Sequence, residues 1–447
     1  MAPAAPALPS RKPPSPLPQV QVYKFGGASV RDAAGIRNVG QIVRRYGRAP
    51  LVIVVSAIGK TTDALEAVVE AFAKTDPTLA AERFEAIKRE HFLLARELFG
   101  EGQPESLARL NDAFVEVDWL LEEPFDQGYD YVYDQVVSIG EVASSILLAG
   151  YLASLEVEAS WEDARGLVRT DALYREAWVD WAVTERQIRR ALTPVLEAGR
   201  VVVTQGFIGS TADNETTTLG REGSDYSAAI FSYCLGAEAM SIWKDVPGVL
   251  TADPRLFDDV SKIDHLSYRE AIEMTYYGAK VIHPKTIKPL QNKNIPLLVK
   301  SFLEPAAAGT RVDAEAPLAY PPIITVEKDQ ALVQIQTRDF SFVAEHHLKD
   351  LFNLIAEHRL QVNLMQNTAI SFAISVNDID DRVDRFTEAI TRDFSCEVTR
   401  GLELYTMRHA NQHVIDEQQK GRLVLMDERA GVTTQMVMSV TPVPRRK

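Results

Sequence analysis

Cysteine is almost missing from this chain: there are two in 447 residues, Cys234 and Cys396, far apart and outside any metal-type spacing. That excludes a disulfide framework and fits a reducing compartment, with each thiol free in a core. A positive charge balance is also absent. The 48 Lys and Arg are outnumbered by 62 Asp and Glu, a formal net charge of -14. A general nucleic-acid binder, which must neutralise phosphates with basic surface, is therefore excluded. No uninterrupted apolar run approaches the roughly 20 residues that span a bilayer. Arg11 and Lys12 in the Ala- and Pro-rich opening are followed by no apolar signal core. These absences predict a soluble, cytoplasmic protein that binds neither membrane nor nucleic acid, with a flexible tail over residues 1–20. The phosphate-loop patterns G-x-x-x-x-G-K-[ST] and G-x-G-x-x-G are missing as well.

The chain does hold 46% hydrophobic and 25% charged residues, enough for a sizeable core and two or three domains. Val22-Tyr23-Lys24-Phe25-Gly26-Gly27-Ala28-Ser29-Val30 reads as strand, glycine loop and helix start. Gly26 and Gly27 let backbone N–H groups approach an anion, a helix N-terminus adds partial positive charge, and Lys24 adds a full one. Leu51–Val55 is wholly apolar and Val201–Phe207 opens on three valines, as strands buried on both faces of a parallel sheet do. Ser56 to Asp63 follows the first of these at the strand end where open α/β sheets bind ligands, and Thr62 or Asp63 there also suits a helix cap. Tyr129 to Val137 reads as a strand leading into an apolar helix, on which Glu141 either caps or meets a cation.

The richest polar stretch is Thr216 to Asp225. Arg221 there can clamp a carboxylate, while Ser224 and Asp225 can cap the following helix or act at a phosphoryl group. Ala239–Trp243 is a further strand, ending in Lys244-Asp245. Beyond an Ala-, Pro- and Gly-rich linker the order from Ala331 to Met407 is β-α-β-β-α-β, that of a ferredoxin-like module, and two more strands follow it.

Together these blocks resemble aspartate kinase. The resemblance runs from about Val22 to Val440 and rests on Lys24 to Ser29, Leu219 to Tyr226, Asp245-Val246-Pro247-Gly248 with Asp253-Pro254-Arg255, and Gly278 to Pro284. It implies an α/β fold: an amino-acid kinase three-layer α/β/α sandwich with a mostly parallel sheet (21–305). A linker (306–322) and tandem ACT modules (323–447), the second truncated, would follow. It implies ATP- and Mg²⁺-dependent phosphorylation of the side-chain carboxylate of L-aspartate, the first step of aspartate-family amino-acid biosynthesis. Lys24 would neutralise the transferred phosphoryl group, cradled by Gly26, Gly27 and Ser29, and Asp225 would organise Lys24. Glu141 would take the substrate's ammonium and Arg221 its α-carboxylate, with Ser56, Thr62 and Ser224 completing the pocket. Lys244, Asp245, Arg255 and Lys280 would hold the nucleotide, and no metal-ligand set is assigned. An ACT-mediated homodimer and an amino-acid effector at the ACT region are expected.

Some residues depart from the family pattern. Ala28 stands where a hydroxyl residue is more usual, and Lys244 where Thr is common. Phe340 to Glu345 lacks the glycine-led loop that cradles an effector, and Ala369 replaces a frequent carboxylate. The alternatives are a catalytically silent amino-acid sensor and a kinase for another carboxylate.

Overall fold

The computed structural model describes residues 19–440 except 49, 101, 280–281, 316, 318, 339–341, 343–344 and 392. The chain divides into two compact units. One extends to Pro247 and resumes over Lys285–Ala314; the other comprises Gly248–Pro284 and the chain from Glu315 onward.

The first unit begins with β1 (Gln21–Phe25), a 3-10 turn over Gly27–Val30, and α1 (Ala33–Tyr46). Asp32 caps α1 by accepting from the Gly35 N–H, and Ile36, Val39, Ile42 and Val43 form its buried stripe. There follow β2 (Leu51–Val55), α2 (Thr61–Ala73), α3 (Pro77–Phe99), α4 (Pro104–Glu122), α5 (Tyr129–Val137), α6 (Ile139–Ser154) and β3 (Ala159–Trp161). Next come α7 (Trp181–Glu197), β4 (Val201–Gln205), the short pair β5 (Ile208–Ser210) and β6 (Thr216–Thr218), α8 (Gly223–Leu235) and β7 (Ala239–Lys244). The second unit then contributes β8 (His265–Ser267) and α9 (Tyr268–Tyr276), before the chain continues as α10 (Pro284–Asn292), β9 (Leu297–Ser301) and β10 (Thr310–Asp313).

In the first unit the sheet order is β3-β4-β2-β1-β7-β9-β10. All neighbours are parallel except β9 and β10. β1 lies at the centre, with Phe25 level with Val55 on one side and Trp243 on the other. The strands therefore end together, and the loops after β1, β2, β4 and β7 share one edge, where doubly wound sheets bind ligands. Tyr23, Phe25 and Trp243 pack their rings beneath that edge.

Two expectations need correcting here. Tyr129–Val137 is the helix α5: Val132, Tyr133, Val136 and Val137 recur at helical spacing and are buried, so tertiary packing overrides the strand propensity of Tyr and Val. With α6 it forms a stretch, Tyr129–Ser154, long and apolar enough by composition to cross a bilayer, yet mostly buried inside the molecule. The segment read as a linker carries β10, which pairs antiparallel with β9 from Thr310↔Val299 to Val312↔Leu297. Its Ala- and Pro-rich flanks hide a four-residue strand.

The second unit holds β11 (Ile323–Thr337), α11 (Glu345–Glu357), β12 (Val362–Asn367), β13 (Ser371–Asn377), α12 (Arg382–Ile390) and β14 (Phe394–Arg408). α13 (Gln412–Gln419), β15 (Val424–Ala430) and β16 (Thr433–Ser439) complete it. Its sheet is antiparallel in the order β12-β13-β11-β14-β16-β15. The first four strands and two helices form the expected ferredoxin-like module, with α11 and α12 packing Leu351, Ile355, Val383 and Phe386 on Val333, Ile335 and Ile374. β14 is long enough to serve both that module and the β15–β16 pair, whose Met436 and Met438 pack with Ile415 of α13. Most of Phe340–Glu345, the stretch that departs from the family's effector loop, lies outside the described residues.

Candidate active site

Lys24 is an inward-facing residue of β1, and its side chain reaches the edge where the strands end. Its Nζ lies 2.6 Å from Asp225 Oδ1, and Lys244 Nζ, from the end of β7, lies 3.6 Å from Oδ2. Burial alone would push the Asp225 carboxyl up, but the two ammonium groups outweigh it and hold it below the usual carboxylate range. Asp225 is thus a charged hub that fixes Lys24 in place. Gly27 lets the loop after β1 settle against the loop after β2: a Cβ there would meet the Ala57 carbonyl oxygen at 2.9 Å.

Glu141 approaches from the first turn of α6 and is 3% exposed. Its Oε1 accepts from the Ala57 N–H at 3.2 Å, and its Oε2 is buried without a hydrogen-bond partner among the described residues. Burial pushes this carboxyl up to about 8, against the opposing pull of the Ala57 N–H and Lys24. A half-satisfied carboxylate in such a place is costly unless a cation arrives.

Lys24, Gly27, Ser56, Thr62, Glu141, Arg221, Ser224 and Asp225 all line one cavity of about 720 Å³. Arg221 is exposed and carries no ion pair among the described residues. Gly26 lies beside Lys24, its missing Cβ 3.4 Å from Nζ. Ser29 is buried, and its hydroxyl donates to the Trp243 carbonyl at 3.3 Å. Asp245 is exposed in the turn after β7. Arg255 belongs to the other unit, where it is exposed and paired in a bidentate fork with Asp253. Lys280 lies outside the described residues. No group of three or more His, Cys, Asp and Glu suited to a metal ion gathers among the described residues.

The cavity also has walls that sequence reasoning missed. Tyr133 and Asp130 come from α5, Arg175 and Glu176 from the loop before α7, and Phe207 from the turn after β4. Tyr133 donates to Glu66 at 2.7 Å, and the Arg175 guanidinium lies 4.4 Å from the Tyr133 ring centroid. Phe207 adopts a left-handed φ of 71°, held by its N–H donating to Ser227 Oγ at 2.8 Å. Beneath them Asp134 is fully buried, accepting from the Arg175 N–H, the Thr218 N–H and the Thr218 hydroxyl. Burial pushes its carboxyl up to about 6 despite those bonds. Reading α5 as a helix would have put Asp130, Tyr133 and Asp134 on neighbouring turns and exposed this signal.

The arrangement offers a buried carboxyl group that an arriving cation would ionise, an exposed guanidinium suited to a carboxylate, and a lysine held at the mouth of a glycine loop. Comparisons with known proteins bear on the family of the chain. Residues 19–301 match the model of the amino acid kinase family. The chain is 32% identical over 368 residues to lysine-sensitive aspartokinase 3 of Escherichia coli, spanning 81% of this chain and 79% of that protein. A crystal structure of E. coli aspartokinase III with aspartate and ADP superposes with a TM-score of 0.77 at 29% identity, covering 94% of this chain and 96% of that one. The same enzyme with lysine and aspartate gives 0.78 at 28% identity, covering 95% and 96%.

Proposed function

The chain belongs to the amino acid kinase family, as one of its aspartokinases, and from that premise we propose that it transfers the γ-phosphoryl group of ATP to the side-chain carboxylate of L-aspartate. The products are 4-phospho-L-aspartate and ADP, which opens aspartate-family amino-acid biosynthesis. The observation that carries this reading is one cavity holding both the Lys24–Asp225 pair and the half-satisfied Glu141.

The nucleophile needs no general base, because a side-chain carboxylate with a pKa near 3.9 is already ionised at neutral pH. Catalysis then consists of alignment and charge neutralisation. Lys24, oriented by Asp225, meets the charge on the transferred group, and Gly26, Gly27 and Ser29 shape the loop that receives it. Glu141 takes the ammonium of aspartate and Arg221 its α-carboxylate, while Ser56, Thr62 and Ser224 supply neutral hydrogen bonds. The close approach of Gly27 to the Ala57 carbonyl fits a loop that presents backbone N–H groups to phosphate. Lys244, Asp245, Arg255 and Lys280 are assigned to the nucleotide. Mg²⁺ arriving with ATP would supply further neutralisation at the phosphates. The proposal extends to a cytoplasmic homodimer whose ferredoxin-like unit, of ACT type, takes an amino-acid effector.

Purified protein should release ADP only when L-aspartate, ATP and Mg²⁺ are present together. Release with glutamate in place of aspartate would move the assignment to another carboxylate. Repeating the assay with lysine, threonine and methionine reports the effector.

Arg221→Ala should raise KM for aspartate about ten- to a hundredfold, with kcat and KM for ATP nearly unchanged. Loss of a charge-assisted hydrogen-bond pair costs about 1.5–3 kcal/mol, and the exposure of Arg221 keeps the effect below that of a fully buried ion pair. An unaltered KM would remove Arg221 from the substrate.

A further inference from the structure

Arg175 lies in the left-handed region with φ of 69°, where a side chain is strained and glycine is not. Its backbone is nevertheless tightly held. The Arg175 N–H donates to Asp134 Oδ2 at 3.0 Å, and the same buried carboxylate accepts from the Thr218 N–H at 2.8 Å and the Thr218 hydroxyl at 2.7 Å. Thr218 closes β6 and leads through Leu219 and Gly220 into Arg221. Gly220 has φ of 74°, and a Cβ there would stand 3.1 Å from the Arg175 carbonyl oxygen. One buried carboxylate therefore ties the Arg175 backbone to Thr218, three residues before Arg221, and both arginines line the cavity that holds Lys24 and Glu141.

The Arg175 side chain is held as well. Its guanidinium lies 4.4 Å from the centroid of the Tyr133 ring and 3.3 Å from Asp130 Oδ1. An exposed Arg–Asp pair is by itself an ordinary surface feature of little energetic worth. It does not account for an arginine kept at a backbone position that glycine would occupy without strain, on the wall of a substrate cavity. A guanidinium stacked on a ring face keeps in-plane N–H donors for a ligand and loses little freedom on binding it.

We propose that Arg175 is a second arginine for the α-carboxylate of the amino-acid substrate, forming with Arg221 a two-guanidinium clamp on that end of the molecule. The inference rests on the aspartate kinase reading. The side-chain carboxylate must direct an electron pair at phosphorus, so a fork of N–H donors there would weaken the nucleophile. The α-carboxylate stays anionic and unreactive throughout, and its two oxygens offer about four acceptor sites, enough for two guanidinium groups. Arg175 is thereby a specificity determinant against amino acids and peptides whose α-carboxylate is blocked.

The test is steady-state kinetics of wild type, R175G and R175K with L-aspartate and with its α-amide, alongside thermal melting. R175G keeps the N–H to Asp134 and suits the left-handed backbone, so its melting temperature should equal or exceed that of wild type. Its KM for aspartate should rise tenfold or more while kcat and KM for ATP stay within about twofold. The preference for aspartate over the α-amide should shrink about tenfold, and R175K should restore only part of it. An R175G enzyme with wild-type KM and unchanged preference overturns the inference while leaving the kinase reading intact. A fall in melting temperature with both KM values shifting together also overturns it, because it assigns Arg175 to structure alone. A folded wild type that releases no ADP with aspartate overturns both.

Discussion

Lys24→Ala is expected to lower kcat by at least about a thousandfold, the scale seen when a preorganised charge aimed at a transferring phosphoryl group is removed. Lys24 is 7% exposed and lies 2.6 Å from Asp225, so its ammonium is already fixed before substrate arrives and does not pay for ordering during the reaction. The substitution leaves Asp225 buried, and loss of one partner of a buried pair costs about 3–5 kcal/mol when nothing else compensates. Here Lys244 still stands 3.6 Å from the other carboxylate oxygen. The variant should therefore fold, with a loss of stability below that range, and urea denaturation measures the difference separately from the rate. Aspartate should still bind at high pH, since Glu141 and Arg221 are untouched. A kcat within tenfold of wild type would remove Lys24 from the chemistry.

Much of the frame of this site is legible in sequence. The runs Leu51–Val55 and Val201–Val203 are apolar because both faces of a parallel strand are covered, and the strands that carry them are buried throughout. The sequence thereby places Lys24, Ser56 and Lys244 at strand ends, and the parallel order β2-β1-β7 brings those ends to one edge. Asp225 and Ser224 are legible because a helix start rich in glycine and hydroxyls has few other uses. The lateral wall is not legible. Asp130, Tyr133 and Asp134 lie in a stretch whose Tyr and Val content imitates a strand, and only the burial pattern of α5 reveals the helix. Arg175 sits in a loop, and its relation to Arg221 depends on a contact through Asp134 that spans 84 residues to Thr218. No local periodicity records a contact of that kind. The Ser29 hydroxyl shows a related gap, for its hydrogen goes to a carbonyl 214 residues away.

Glu141→Gln should separate stability from function more sharply than any other substitution in this cavity. The Glu141 carboxyl, pushed by burial from the ordinary 4.5 up to about 8, is protonated in the free folded enzyme at pH 7 and ionised in the unfolded chain. Its folded pKa is raised, so the unfolded state gains stability as pH rises from about 4.5 to about 8, and the fold is penalised over that window. At 1.36 kcal/mol per unit, the penalty at pH 7 is of the order of 3 kcal/mol. The neutral amide removes it. Glu141→Gln should be more stable than wild type by roughly that amount at pH 7, by more at pH 8, and by almost nothing at pH 4, as urea denaturation at the three values will report. Binding should change in the opposite sense. The ammonium of aspartate requires the carboxylate, so KM for aspartate in wild type should fall as pH rises from 6 towards 8, and binding at pH 7 should release close to one proton. Calorimetry in buffers of different ionisation enthalpy measures that proton directly. In Glu141→Gln the proton release should vanish and KM should rise about a hundredfold or more, the cost of losing a buried charge-assisted partner. Lys24 lowers the pKa of this carboxyl, so in Lys24→Ala the same pH profile should move upward. A wild-type enzyme that binds aspartate without releasing a proton, and a Glu141→Gln enzyme with unchanged stability, would place the ammonium elsewhere in the cavity.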